Sequence, residues 1–163
     1  MNALFEEWLK LATHIGQICI AEQRVITGAE SCTGGLVAAV LTSVSGSSAW
    51  VDRGFVTYSN AAKREMLGVR QETLDAYGAV SEEIAREMAV GALTASRATM
   101  AYSVTGVAGP TGGTEAKPVG MVCFAFATVR EVTAFTRHFK GDRSAVREQS
   151  VNFVLAHLSR HTR

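Results

Sequence analysis

A short turn between an apolar segment and a helix-forming segment constrains this chain most. The turn is Ala29-Glu30-Ser31-Cys32-Thr33-Gly34-Gly35, and the apolar run from Leu36 to Leu41 follows it. This order predicts a strand, a tight turn and a helix. Ser31 would then lie at the carboxyl end of the strand, beside the unpaired N–H groups that begin the helix. Two interpretations stay open: an anion or oxyanion site with Ser31 as nucleophile, or a plain N-cap made by Ser31 or Thr33.

The rest of the chain alternates strand-like and helix-like segments. Asn60 and Ser81 are predicted helix caps, and Gly68 is predicted to end a helix. Helices between strands predict an α/β fold with helices on both faces of the sheet, and a hairpin near the carboxyl terminus makes that sheet mixed. The predicted strands cover about residues 25–29, 50–58, 101–105, 119–129 and 131–139. The predicted helices cover about residues 3–23, 33–44, 61–67, 72–77 and 143–161, with a further helix starting at Ser81.

Three unusual segments each follow a predicted strand. They are residues 30–35, 58–63 and 105–117. Ligands of α/β sheets bind beyond the carboxyl ends of the strands, so these segments are expected to form one site.

The third of these segments is rich in glycine. Residues 105–114 contain Gly106, Gly109, Gly112 and Gly113. Such clustering indicates positive φ angles, or backbone that approaches a ligand and offers N–H groups to a phosphate or carboxylate. The spacing matches neither the Walker motif nor G-x-G-x-x-G, and a flexible surface turn is the alternative. Lys117 and Arg143 are candidate phosphate partners, or else solvated surface cations.

Tyr58 and Lys63 are candidates for proton transfer. With Ser31 they supply the side chains that histidine-free acyl transfer uses, although their spacing matches neither Tyr-x-x-x-Lys nor Ser-x-x-Lys. A lysine acts as a base near pH 7 only when it is desolvated or lies near another cation.

Composition excludes several classes of protein. A 163-residue chain that is 47% hydrophobic and 19% charged is expected to fold as one domain over residues 1–163, without a membrane span. A net charge of +1 argues against a broad nucleic-acid surface. Glu6 and Glu7 do not fit a signal peptide, so a cytoplasmic location is expected. The three cysteines show neither disulfide nor zinc spacing, and Cys32 lacks the histidine base that a thiol nucleophile normally uses.

A series of motifs over about residues 5–160 resembles one family, the carboxy-terminal domain family of the competence/damage-inducible protein CinA. The likeness is strongest to its stand-alone nicotinamide mononucleotide (NMN) deamidases. The motifs occur in this order: Glu30–Gly35, Gly46–Ser48, Tyr58–Asn60 with Lys63, Gly78–Ser81, Val104–Gly106 with Ala108–Pro110, Lys117–Gly120 and Gly141–Arg143.

The resemblance implies a three-layer α/β/α fold with a mixed, mostly parallel five-stranded sheet. It also implies hydrolysis of NMN to nicotinic acid mononucleotide and ammonia, in pyridine-nucleotide salvage, with no cofactor and no metal. The expected partner is the small-molecule nucleotide, with no nucleic acid and no membrane, and a homo-oligomer, in particular a dimer, is expected.

The residues and the resemblance together give one hypothetical mechanism. Ser31 attacks the carboxamide, Lys63 moves the proton with Tyr58 as relay or partner, and the N–H of Thr33 or Gly34 holds the oxyanion. Glu30 orients a hydroxyl or pairs with Lys63. The residues expected to bind substrate are Glu30, Thr33, Gly34, Thr105, Gly106, Gly109, Gly112, Gly113 and Arg143.

Two other functions stay open. A non-catalytic nucleotide- or phosphate-binding regulatory module explains the glycines but gives Tyr58 and Lys63 no role. A protein–DNA or competence interaction role rests on the family's historical name alone, and the near-neutral charge argues against it.

Overall fold

The computed structural model describes residues 2–161, except the side chain of residue 161. The strands are β1 (Ile26–Glu30), β2 (Val51–Val56), β3 (Met100–Gly106), β4 (Met121–Ala127) and β5 (Val132–His138). The helices are α1 (Ala3–Glu22), α2 (Leu36–Thr42), α3 (Asn60–Leu67), α4 (Gln71–Tyr77), α5 (Glu82–Thr94) and α6 (Arg143–His161), and Ser47–Ala49 form a short 3-10 helix.

One five-stranded sheet runs through the described residues in the order β2-β1-β3-β4-β5. β1 pairs in parallel with β2 and β3, whereas β4 pairs antiparallel with β3 and β5. β4 therefore runs against the other four strands. The predicted mixed, mostly parallel sheet is confirmed.

Helices cover both faces of the sheet. On one face α1, α2 and α6 bury a core that includes Trp50, Phe124 and Leu155. On the other face α3, α4 and α5 bury a smaller core around Ile84 and Met88. The three-layer arrangement follows from strands that are apolar on both sides and must be covered on both.

Two local boundaries differ from the sequence-based prediction. α2 begins at Leu36 rather than near residue 33, because Gly34 and Gly35 have φ angles of 60° and 97° and form a turn instead of a helical start. The N-cap of α3 is Ser59 and not Asn60, since the Ser59 hydroxyl accepts from the Ala62 N–H at 3.0 Å. Gly68 ends α3 and Ser81 caps α5, as predicted.

The sheet places the candidate site at one edge. β1 and β3 are parallel neighbours, so the turn after Glu30 and the loop after Gly106 leave the sheet side by side. α3 packs tightly on α5, because a Cβ at Gly91 would lie 2.0 Å from the Leu67 carbonyl oxygen. This close crossing fixes the helix that carries Lys63.

Within residues 2–161, none of the helices combines the length and the apolar character that crossing a bilayer requires.

Candidate active site

Ser31 and Lys63, 32 positions apart in the sequence, meet at this edge. Lys63 Nζ lies 3.1 Å from Ser31 Oγ. The Ser31 N–H donates to the Val104 carbonyl at 2.9 Å, which extends the β1–β3 pairing by one residue and fixes the backbone under the hydroxyl. Ser31 is 8% exposed and Lys63 is 2% exposed. The hydroxyl and the amine therefore form a buried pair with access to one cavity.

Burial lowers the pKa of the Lys63 amine from its ordinary value, since the low-dielectric surroundings penalise the ammonium form. The Cys32 thiol nearby has a smaller and opposite effect. The second contact of Nζ is the Thr57 carbonyl at 3.1 Å. A neutral amine that donates one N–H to Thr57 keeps a lone pair to accept the Ser31 proton. This is the state that a general base requires.

Glu30 is buried at the end of β1, and its carboxylate accepts four hydrogen bonds from protein groups. Oε1 accepts from the Thr33 hydroxyl at 2.7 Å and from the Val37 N–H at 3.0 Å. Oε2 accepts from the Ala38 N–H at 2.9 Å and from the Tyr102 hydroxyl at 2.9 Å. The carboxylate thus ties the turn, the start of α2 and β3 together.

This network corrects several expectations for the turn. Glu30 orients the Thr33 hydroxyl and does not pair with Lys63. Because protein donors occupy its oxygens, its role is to position the turn rather than to bind substrate. Neither Ser31 nor Thr33 caps α2 with its side chain; the Glu30 carboxylate occupies the first free N–H groups of the helix. The Gly34 N–H donates to the Ser31 carbonyl at 3.0 Å and is not available to an oxyanion.

Gly28 makes the contact between Tyr102 and Glu30 possible. Gly28 and Tyr102 are paired across β1 and β3, and a Cβ at Gly28 would lie 2.0 Å from the tyrosine ring. The ring therefore lies across β1 and carries its hydroxyl to Glu30. Burial comes first in raising the pKa of Tyr102 well above its ordinary value, followed by the Glu30 charge and hydrogen bond. The phenol is thus a hydrogen-bond donor at all physiological pH values.

Tyr58 contacts Arg143 rather than Lys63. The Arg143 guanidinium donates from Nη2 to the Tyr58 hydroxyl at 2.9 Å and from Nη1 to the Gly109 carbonyl at 2.8 Å. Tyr58 is 62% exposed. The expectation that Tyr58 acts as a direct partner of Lys63 is therefore replaced by a contact that holds Arg143 across the mouth of the site.

A cavity of about 280 Å³ lies over the Ser31–Lys63 pair. Its walls come from the connections after β1, β2 and β3, from the α4–α5 connection and from the start of α6. The lining residues are Ser31, Cys32, Tyr58, Asn60, Lys63, Ala79, Val80, Thr105, Gly106, Ala108 and Arg143. The predicted convergence of three loops at one edge is thus what the structure shows. A second cavity of about 410 Å³ shares Ala108 and Arg143 with the first.

Thr105 and Gly106 lie in the cavity wall as expected, but the later glycines of that loop do not. Cβ atoms at Gly109 and Gly113 would lie 2.5 Å and 2.8 Å from atoms of Val119, so these glycines allow the loop to fold onto its own end. Gly112 is exposed, with a φ of 88°. None of these three glycines lines either cavity, and Gly109 and Gly113 shape the loop, so the expectation that they cradle substrate stays a prediction.

Lys117 also lies away from the cavity. Its ammonium donates to the carbonyl of Tyr77, the last residue of α4, and to that of Val80 in the α4–α5 connection. Thr105 Oγ1 donates to the Ala79 carbonyl of the same connection at 2.8 Å. Lys117 and Thr105 therefore hold one cavity wall in place.

Cys32 lines the cavity but is unsuited to act as a thiolate. Burial raises the pKa of its thiol to about 12. A hydrogen bond with its own backbone lowers that pKa by a smaller amount. Within the described part of the chain, no group of three or more His, Cys, Asp and Glu side chains is arranged to hold a metal ion.

Sequence reasoning missed Asn60 and Arg147. Asn60 lines the cavity because Ser59, and not Asn60, caps α3. Both residues are common helix caps, so the adjacent Ser-Asn pair was the signal that one of them could cap the helix and leave the other for the site. Arg147 donates to the carbonyls of Cys32 and Thr33, each at 3.2 Å. Its position one helical turn after Arg143 was the available signal, because residues four apart share a helix face.

Comparisons of the sequence and of the structure with known proteins agree with each other. The family model described as CinA C-terminal domain matches residues 9–162. The nicotinamide-nucleotide amidohydrolases PncC of Shigella flexneri and Escherichia coli (strain K12) are each 55% identical over 153 residues, which is 93% of this chain and 93% of theirs. The crystal structure of competence/damage inducible protein CihA from Agrobacterium tumefaciens superposes with a TM-score of 0.92 at 46% identity, covering 96% of both chains.

Replacement of Glu30 by glutamine is expected to lower the free energy of unfolding by about 3 kcal/mol, because an amide nitrogen would face donors and leave buried N–H groups unpaired. Tyr102→Phe removes a single donor and is expected to cost about 1–2 kcal/mol. Urea denaturation measures both. Glu65→Gln, on the exposed surface of α3, is the matched control and should change stability by less than about 0.5 kcal/mol. A Glu30→Gln protein as stable as that control would contradict the assigned network.

Replacement of Lys63 by methionine is expected to raise the stability of the protein at pH 7 by about 1 kcal/mol, as is common when a strained functional group is removed. The lowered pKa means that the unfolded chain binds more protons at Lys63 than the folded one, between the folded and unfolded pKa values. The stability of the unmodified protein therefore rises with pH in that window, and its deficit against Lys63→Met should shrink. Denaturation curves from pH 6 to pH 10 test this; a pH-independent difference would show that Lys63 titrates normally.

Proposed function

This chain belongs to the CinA C-terminal domain family, and we propose that it hydrolyses the carboxamide of a nicotinamide nucleotide, with NMN as substrate. The products are then nicotinic acid mononucleotide and ammonia, which fits a role in pyridine-nucleotide salvage. The observation that carries the proposal is the 3.1 Å contact between a serine hydroxyl and a buried lysine amine of lowered pKa in one cavity. The identity to relatives named as amidohydrolases of this substrate supports the choice of substrate.

In the first step, Ser31 Oγ attacks the carboxamide carbon while Lys63 Nζ accepts its proton. Thr57 favours this transfer because its carbonyl already holds one N–H of the amine and then stabilises the ammonium that forms. The oxyanion takes a hydrogen bond from the Cys32 N–H, which belongs to the residue after the nucleophile and lines the cavity. Cys32 therefore replaces Gly34, whose N–H already donates to the Ser31 carbonyl, and the Thr33 N–H stays the alternative donor.

In the second step, the tetrahedral intermediate collapses as Lys63 returns the proton to the amide nitrogen, which leaves as ammonia. Ser31 is then esterified by the pyridine carboxylate. A water molecule gives a proton to the neutral Lys63 and attacks the ester carbon, and the protonated Lys63 in turn protonates Ser31 Oγ as the acid is released. The sum is one water consumed and one ammonia released, with no change in oxidation state.

The rest of the nucleotide is proposed to extend from Ser31 past Arg143. The two adjoining cavities meet at Ala108 and Arg143, so the pyridine occupies the smaller cavity and the phosphate reaches the guanidinium. Thr105, Gly106 and Asn60 line the pyridine end. A dimer stays a prediction.

Ammonia release from NMN by the purified protein tests the proposal directly. Ser31→Ala and Lys63→Met are each expected to lower kcat by about a thousandfold or more, because they remove the nucleophile and the base. Cys32→Ala is the matched control and should stay within about tenfold, since it changes the cavity wall but not the reacting groups. For the unmodified protein, kcat/KM should rise with pH through the lowered pKa of Lys63. Saturable NMN binding without ammonia release would favour the non-catalytic module instead.

A comparison of NMN with nicotinamide riboside tests the role of Arg143. Arg143→Gln is expected to raise KM for NMN by about tenfold or more, because a charge-assisted hydrogen bond to phosphate is lost. The riboside lacks the phosphate and should be affected little. Equal losses on both substrates would assign Arg143 to holding Tyr58 and the loop rather than to the phosphate.

A further inference from the structure

A large concave surface lies far from the Ser31 cavity. It is a groove of about 1040 Å³ between the end of α1, the β4–β5 hairpin and the second half of α6. Thr99 and Met100, at the start of β3, line this groove, whereas Thr105 and Gly106, at the end of β3, line the Ser31 cavity. The length of β3 separates the two by about 20 Å.

The groove is rich in guanidinium groups. Two carboxylates, Glu22 and Glu131, also line it, and Glu22 pairs with one of the arginines at 2.9 Å. The described wall is therefore net positive, although the whole chain is close to neutral. The arginines of the wall are Arg24, Arg130, Arg137 and Arg160. Such a cluster attracts a multiply charged anion and binds it with bidentate hydrogen bonds.

Arg137 is held in place by aromatic rings. Its guanidinium carbon lies 4.9 Å from the centre of the Phe153 ring and 5.6 Å from that of Phe135. Its Nη1 donates to the Thr136 carbonyl at 2.9 Å, and the remaining N–H groups are left for a phosphate. A guanidinium held over aromatic rings loses less side-chain entropy when it binds. Arg137 is exposed. The stacking therefore prepares this cation for an anionic ligand.

Aromatic rings also provide a surface for a planar group. Phe126 is buried and its face already stacks on His157, with ring centres 3.6 Å apart and an interplanar angle of 10°. The half-buried rings of His157, Phe135 and Phe153 line the groove and form the aromatic wall that a planar group can contact. Stacking on such rings stabilises nucleobases without base specificity. The volume also suffices for a complete nucleotide.

We propose that this groove binds a nucleoside polyphosphate, with its phosphates on Arg137, Arg130 and Arg160 and its base on the aromatic wall. The ligand occupies the opposite end of the sheet from Ser31, so it does not compete with the substrate proposed above. The site is thus separate from the Ser31 cavity, and its existence does not depend on the proposed reaction.

Isothermal titration calorimetry with adenosine triphosphate at 0.15 M salt tests the proposal. The protein is expected to bind it, and Arg137→Gln and Arg160→Gln are each expected to weaken binding by about tenfold or more. Arg70→Gln, which removes an exposed arginine on the other face of the sheet, is the charge-matched control and should change affinity by less than about twofold. Arg137→Gln also removes packing on two aromatic rings, so weaker binding in that variant could reflect a local structural change. Arg160→Gln is the second variant for that reason.

Two further titrations fix where and how the ligand binds. Inorganic tripolyphosphate should bind about tenfold more weakly than the nucleotide, because it cannot stack. Saturating NMN should leave nucleotide binding to Ser31→Ala protein unchanged, and this variant keeps the result separate from catalysis. The proposal is overturned by no binding at 1 mM nucleotide, by equal affinity of tripolyphosphate, by full affinity in the two arginine variants, or by displacement with NMN. A subunit contact that protects β5 from hydrogen exchange in the free protein would also overturn it.

Discussion

Glu30 places a carboxylate in the interior at the end of β1, where an uncompensated charge would cost several kcal/mol. Four donors from the turn, from α2 and from β3 replace the water that it loses. Each donor is held where the carboxylate needs it, so the turn that carries Ser31 has one conformation. Tyr102 reaches the carboxylate across the bare backbone of Gly28. The position of the Ser31 hydroxyl therefore depends on a charge that takes no part in the chemistry proposed for that hydroxyl.

Lys63 shows the opposite response to burial. Its amine is surrounded by a hydroxyl and a carbonyl, and none of the ion pairs assigned within residues 2–161 includes it. Two neutral acceptors compensate an ammonium less well than water does, so the neutral amine is favoured and its pKa falls. Four hydrogen-bond donors compensate the buried carboxylate of Glu30. Among the described residues, no carboxylate is paired with Lys63. This asymmetry between two buried groups is what suits Lys63 to the role of base that we propose for it.

Much of the fold and the place of the site could be predicted from the sequence, because both depend on local patterns. Apolar periodicity predicted the strands and helices. The carboxyl ends of parallel strands lie at the same end of a sheet, which predicted that the segments carrying Ser31 and Lys63 would lie close together. The partners of individual side chains could not be predicted in this way. The link from Glu30 to Tyr102 spans 72 positions and depends on strand register. The later glycines of the 105–117 loop fold onto Val119, which their spacing alone does not distinguish from contact with a ligand.

α6 connects the nucleophile to the far end of the candidate substrate site. Arg147 holds the carbonyls of Cys32 and Thr33, while Arg143, one turn earlier on the same helix, faces the cavity and Tyr58. A helix is stiff over one turn, so the backbone of Arg143 is fixed relative to the Ser31 turn, and the contacts with Tyr58 and Gly109 then position its guanidinium. Any ligand that satisfies both ends must match that separation. We therefore expect the proposed substrate site to discriminate ligands by length as well as by cavity volume, because its two arginines are placed four residues apart.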